Sequence, residues 1–119
     1  IVTSAGRELA RLRLGIVGLT LPSHAITSED VGRGKPAPDG YLEAAARLGV
    51  HVDRCLVVED APAGIQAGRA AGAQVLAVAT THGPDALIGA NNIVRDLRAV
   101  QVRVNVTRLV VDIGSAVGS

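Results

Sequence analysis

Aromatic side chains are almost missing from this chain of 119 residues: Tyr41 stands alone, with no Phe and no Trp. A core without aromatic anchors must be assembled from Ala, Val, Leu and Ile, so helices and strands have to approach closely. Cysteine occurs once, at Cys55, which excludes an internal disulfide and fits a reducing compartment, so a cytoplasmic location is expected. Neither sign of charge is in excess, with 12 Lys and Arg against 11 Asp and Glu. No basic run is interleaved with aromatics, so neither a nucleic-acid partner nor a membrane-surface partner is expected. The apolar runs fall far short of the roughly 20 residues that a membrane-spanning helix requires. The opening residues, Ile1-Val2-Thr3-Ser4, carry neither the basic nor the long apolar segment of a secretion signal. Methionine is absent as well, and a chain that opens at Ile1 without Met is expected to be the C-terminal portion of something longer.

What is present alternates short apolar runs with helical periodicity. Ile1-Val2-Thr3 reads as the exit of a buried strand. From about Gly6 to Val17, Leu9, Leu12 and Ile16 share a helical face that Gly18 can end. Ala25-Ile26-Thr27 is a short strand candidate. Asp39 can cap a helix with Tyr41, Ala45 and Leu48 on one face and Gly49 at its end. Cys55–Val58 has the continuous apolar character of a strand buried on both faces. A helix from Pro62 then presents Gly64, Ala67, Gly68 and Ala71 as a small-residue stripe closed by Gly72. Val75–Ala79 is another buried strand, and a short helix precedes Ile93-Val94. This order predicts an α/β fold, a Rossmann-like, doubly wound parallel sheet over residues 1–100. Val102, Val104 and Val106 alternate with Arg103, Asn105 and Thr107 before Leu109–Ile113, which predicts an antiparallel β-hairpin tail over 101–119 with one wet face.

In an open parallel sheet, ligands collect at the carboxyl ends of the strands. Three groups fall there: Thr3 with Ser4, Lys35 in the stiff loop Gly32-Arg33-Gly34-Lys35-Pro36-Ala37-Pro38-Asp39, and Glu59 with Asp60. A hydroxyl and a backbone N–H suit phosphoryl oxygens, Lys35 adds a compact positive charge, and adjacent carboxylates call for a cation such as Mg²⁺. The plainer readings are a solvated turn for Lys35, a helix cap for Asp60 and a capping pair for Thr3 and Ser4. His24 and His51 read as surface or loop histidines and Cys55 as core. His82, after a strand end near the site, reads as a turn residue with a peripheral role as the alternative, and Arg33 as a solvated loop charge with a substrate contact as the alternative.

Taken in order, these segments resemble the haloacid dehalogenase-like hydrolases, in their helical-cap phosphatase branch. Ile1-Val2-Thr3-Ser4-Ala5 is similar to that family's second motif, Gly34-Lys35-Pro36-Ala37-Pro38-Asp39 to the third, and Val57-Val58-Glu59-Asp60-Ala61-Pro62-Ala63-Gly64 to the fourth. The likeness runs to about residue 100 and is nearest to phosphatases of glycerol phosphate and small sugar phosphates. It implies that Thr3 and the Ser4 N–H hold the phosphoryl group. Lys35 would pair with its oxygens and with a nucleophilic carboxylate, while Asp60 and Glu59 would bind Mg²⁺. A small phosphorylated metabolite would then be hydrolysed through an aspartyl phosphate. The family's first motif, Asp-x-Asp-Gly-Thr on a central strand, is not in the sequence, and neither is its helical cap. The missing strand would lie between Ile1–Thr3 and Cys55–Val58, leaving a gap or forcing those two together. Leu109-Val110-Val111-Asp112-Ile113-Gly114-Ser115 echoes that motif with one Asp deleted, but it reads better as the second strand of the tail hairpin. The chain alone is therefore expected to be inactive. Two other readings are a non-catalytic phosphate-, metal- or partner-binding remnant, and self-association through exposed sheet edges.

Overall fold

The computed structural model describes residues 1–114, so positions 115–119 of the expected tail lie outside the described residues. Its centre is a parallel sheet of β1 (Leu56–Glu59), β2 (Gln74–Val78) and β3 (Asn92–Val94), in that order across the sheet. Val57 lies opposite Val75 and Leu76 opposite Asn92. Alternation along the strands sends side chains to two faces. Val57, Val75 and Ala77 pack with Leu87 and with Ile65 of α3 (Pro62–Ala71), and Tyr41 of α2 (Asp39–Leu48) packs against the same cluster. Leu76, Val78 and Val94 face the other way and meet Ala99, Val100 and Ile113. That second face is thus covered by the base of the hairpin β4 (Val100–Asn105) and β5 (Arg108–Ile113), where a doubly wound sheet carries helices. The crossover from β2 to β3 is a 3₁₀ turn, Pro84–Leu87. Among the described residues, no helix is long and apolar enough to cross a membrane.

Close approach explains the small-residue stripe of α3. A Cβ added at Gly68 would sit 2.8 Å from Val75 Cγ2 and 3.2 Å from Val57 Cγ1, so only a hydrogen lets α3 lie down on β1 and β2. Pro62 occupies the first turn, where its missing N–H costs nothing, and Gly72 ends the helix at φ 92°. Gly49 ends α2 at φ 69° in the same way.

Two expected strands are reduced to one parallel bridge, Val2 to Ile26. Thr3 N–H donates to the Ile26 carbonyl and Ile26 N–H to the Ile1 carbonyl, both at 2.9 Å. Neither segment pairs with β1 among the described residues. Between them lies a cavity of about 320 Å³ whose walls include Val2, Tyr41, Ala45, Leu48, Val58 and Glu59. Of the two outcomes expected where the central strand is missing, the structure shows the gap.

Three local expectations are corrected. In α1 (Arg7–Ile16) only Ala10 is buried, whereas Leu12 and Ile16 are 65% and 78% exposed. The periodicity is helical, but no described element packs on the Leu9, Leu12, Ile16 stripe. Asp39 is the first residue of α2 and does not cap it, because its carboxylate is taken by Arg33 at 3.0 and 3.3 Å. The hairpin has no dry side along most of its length: Val102 and Val104 are exposed, and only its base reaches the sheet.

Asp30 ties the N-terminal half together. Its Oδ2 accepts from the Thr27 N–H (2.7 Å) and hydroxyl (2.8 Å) and from Arg7 (3.0 Å), and its Oδ1 accepts from Arg47 of α2 (3.3 Å). These donors, the Thr27 N–H foremost and then its hydroxyl, hold the carboxyl at about 2, below the ordinary carboxylate range. A folded-state value below the unfolded one adds stability that is complete above the unfolded value and is lost as pH falls through the folded one. The stability difference between wild type and Asp30→Asn should therefore be constant above about pH 4 and shrink between about pH 4 and 2. Urea unfolding at stepped pH reads it, and a pH-independent difference would exclude the role. For the α3–sheet contact, Gly68→Ala should lower the urea midpoint with an unchanged slope. Overpacking costs about 1–3 kcal/mol and outweighs the roughly 1 kcal/mol of regained helix propensity.

Candidate functional site

Lys35, Glu59 and Tyr41 converge at the C-terminal end of β1. Lys35 Nζ donates to Glu59 Oε1 at 2.5 Å and to the Val2 carbonyl at 3.1 Å, so one ammonium bridges both sides of the sheet gap. The Tyr41 hydroxyl donates to the same Glu59 oxygen, and its ring lies 5.3 Å from Nζ. Burial, then the hydrogen bond to Glu59 and the negative charges of Glu59 and Asp60, push the Tyr41 hydroxyl well above the ordinary tyrosine range, so it remains a donor. Glu59 is buried, and its other oxygen accepts the Asp60 N–H at 3.3 Å. Gly64 makes room, because a Cβ there would collide with the Glu59 carboxylate.

On the N-terminal side, Thr3, Ser4, Ser28, Arg33, Lys35 and Tyr41 share a cavity of about 120 Å³. Thr3 Oγ1 accepts the Ala5 N–H at 3.1 Å, which leaves the hydroxyl proton for an incoming acceptor. Lys35 has three N–H donors and uses two, so one remains for an incoming oxygen. Thr3, Ser4 and Lys35 are thus brought together around a space that suits an anion. The Lys35–Pro36 peptide bond is cis.

Asp60 does not line that cavity. Its Oδ2 accepts from Thr81 Oγ1 at 2.7 Å, beside His82. Among the described residues, no group of three or more His, Cys, Asp or Glu side chains is assembled to hold a metal. Asp60 nevertheless offers an oxygen donor of the kind Mg²⁺ takes, and Mg²⁺ usually keeps several waters and needs only one or two carboxylates. Both Glu59 oxygens already accept hydrogen bonds, so Glu59 would orient such a site. A larger cavity of about 480 Å³ lies at the opposite strand ends, by Cys55, Gln74 and Asn92, away from all of these groups.

Sequence reasoning missed Tyr41 as a site residue, since its spacing marks only the inner face of a helix. It also missed Ser28, an isolated hydroxyl that no local pattern singles out, and gave Thr81 no site role of its own. The near-echo of the first motif, Leu109–Ile113, forms β5 of the hairpin, and Asp112 there is paired with Arg103 at 2.8 Å.

Comparisons with known proteins show the family. A family model described as haloacid dehalogenase-like hydrolase matches residues 1–72. Hexitol phosphatase A of Escherichia coli is 53% identical over 78 residues, covering 66% of this chain and 36% of that protein. Glycerol-1-phosphate phosphohydrolase 2 of Saccharomyces cerevisiae is 36% identical over 111 residues, covering 86% of this chain and 44% of that protein. The crystal structure of a haloacid dehalogenase family hydrolase from Deinococcus radiodurans, with bound phosphate and sodium, superposes with a TM-score of 0.72 at 38% identity. That match covers 79% of this chain and 45% of that one. The chain thus spans less than half the length of each of these three proteins. With the parallel sheet, the Lys35 loop and the acidic pair in the order the motifs require, the chain belongs to the haloacid dehalogenase-like hydrolases.

Proposed function

We propose that this chain provides the phosphate- and metal-holding part of a Mg²⁺-dependent phosphomonoesterase for a small phosphorylated sugar or polyol, and that alone it has no turnover. The observation that carries this reading is the shared cavity of Thr3, Ser4 and Lys35, next to a lysine with one uncommitted N–H. The Thr3 hydroxyl and Ser4 N–H would hold phosphoryl oxygens while Lys35 balances their charge. Asp60, with Glu59 beside it, would hold Mg²⁺, which neutralises charge on the phosphoryl group when bound. Relatives named for hexitol and glycerol-1-phosphate support the substrate class.

Hydrolysis in this reading transfers the phosphoryl group from the ester oxygen to a carboxylate. The alcohol leaves with a proton, and water then splits the aspartyl phosphate to give phosphate. That carboxylate and its acid/base partner would be an Asp-x-Asp pair, which this sequence does not contain.

Two measurements test the reading. With p-nitrophenyl phosphate and Mg²⁺, the 119-residue chain should show no metal-dependent turnover. Turnover that Lys35→Ala abolishes would overturn the proposed inactivity. Inorganic phosphate at ten times its Kd should stabilise the folded chain by about 1.4 kcal/mol, seen as a rise in Tm. Thr3→Val leaves the Lys35–Glu59 pair intact and should reduce that rise. A Tm indifferent to millimolar phosphate would remove the binding role.

A further inference from the structure

We propose that Thr81 and His82, on the turn after β2, form a positioning pair that sets the orientation of the Asp60 carboxylate. This inference rests on the reading of Asp60 as a metal-holding residue. The turn closes over the end of β1 through three contacts to Asp60, with a fourth inside the turn. Thr81 Oγ1 lies 2.7 Å from Asp60 Oδ2 and 3.2 Å from the Asp60 carbonyl oxygen. His82 Nδ1 lies 3.0 Å from Thr81 Oγ1 and 3.1 Å from the same carbonyl.

Counting protons fixes the direction of each bond. A hydroxyl has one proton and two lone pairs. The shortest contact is to an ionised carboxylate oxygen, which can only accept, so the Thr81 proton goes to Asp60 Oδ2. Oγ1 then faces His82 Nδ1 with a lone pair, and the Asp60 carbonyl faces the same nitrogen with another. Nδ1 therefore carries a proton, shared between two acceptors, and in the neutral ring this is the Nδ1–H tautomer. The outcome for Asp60 is asymmetric. Oδ2 is committed to Thr81, while Oδ1 makes no hydrogen bond among the described residues and is the oxygen left for a cation.

Outer partners of this kind commonly change metal affinity by about 10- to 100-fold. Thr81 and His82 are both exposed, so water can partly replace the lost donor, and the effect should fall at the lower end of that range. Side chains on an open turn carry little of the fold, so the effect should appear without a change in thermal stability.

Mn²⁺ serves as the probe, titrated into the 119-residue chain and followed by electron paramagnetic resonance. Asp60→Asn should lose binding, Thr81→Val should weaken it about tenfold, and Thr81→Ser should restore it. Wild-type affinity in Thr81→Val, with Asp60→Asn still defective, overturns the positioning role alone. Wild-type affinity in Asp60→Asn, or no Mn²⁺ uptake by the wild-type chain, overturns the metal reading and this inference together. The proton assignment has its own readout in the ¹⁵N shifts of His82 at pH 8. They should report the Nδ1–H tautomer in wild type and a loss of that bias in Thr81→Val. An Nε2–H tautomer in wild type overturns the pair.

Discussion

The Glu59 carboxylate accepts two donors at one oxygen, Lys35 Nζ and the Tyr41 hydroxyl, while its second oxygen accepts the Asp60 N–H. The side chains are nearly enclosed, with Lys35 18% and Glu59 7% exposed. An enclosed charge left without its partner costs about 3–5 kcal/mol, so neither member can be removed cheaply. Several features of the chain follow from this arrangement. Gly64 must lack a side chain because the carboxylate fills that space. The single aromatic residue sits where its body can join the core and its hydroxyl can reach Glu59. Because Lys35 also holds the Val2 carbonyl, the pair links three chain segments that share no strand pairing.

In the proposed reading the same lysine would also hold a substrate oxygen, and its donor count accommodates both roles. A compact ammonium with three donors can keep two internal bonds and still offer a third, whereas an arginine's planar fork could not divide itself among three directions. Lys35 is therefore held in place before any ligand arrives, and the rotamer entropy of a long side chain has already been lost in folding. Charge balance follows the same logic. With Glu59 neutralising the ammonium, an incoming dianion would meet a nearly neutral pair, and a nearby cation would offset its charge. The neighbouring Asp60, with one oxygen unengaged among the described residues, is where such a cation would be held.

Residue order alone revealed the parallel α/β sheet, the three helices, the hairpin and the Thr3–Ser4–Lys35 grouping, because each depends on local periodicity or on strand ends in sequence. Long-range partners were not legible. Tyr41 reaches Glu59 across 18 positions and Thr81 reaches Asp60 across 21, and no spacing rule connects such residues. Burial failed as a reading where pattern and environment part company. Leu9, Leu12 and Ile16 have the 3.6-residue repeat of a packed face, yet burial needs a second surface, and none lies over that stripe among the described residues. Asp39 shows a different failure. An acid before a helix can cap it, but here Arg33 outcompetes the backbone for the carboxylate.

The gap between Val2 and β1 bears on the difference between holding a phosphate and transforming it. Phosphate and metal contacts made equally in the ground and transition states lower both, so they raise affinity without lowering the barrier between them. Acceleration requires contacts that strengthen in the transition state, or a group whose bonding changes during reaction. A positioned acid/base contributes about 10²- to 10⁴-fold, and a nucleophile replaces one difficult displacement by two easier ones. Neither kind of group lines the cavity of Thr3, Ser4 and Lys35: serine and threonine hydroxyls stand there without a neighbouring imidazole to deprotonate them, and Lys35 is engaged with Glu59. The residues that cohere most tightly here, Lys35, Tyr41 and Glu59, fix charge in space, and the two donors left open, the third Lys35 N–H and the Thr3 hydroxyl, suit holding an incoming oxygen.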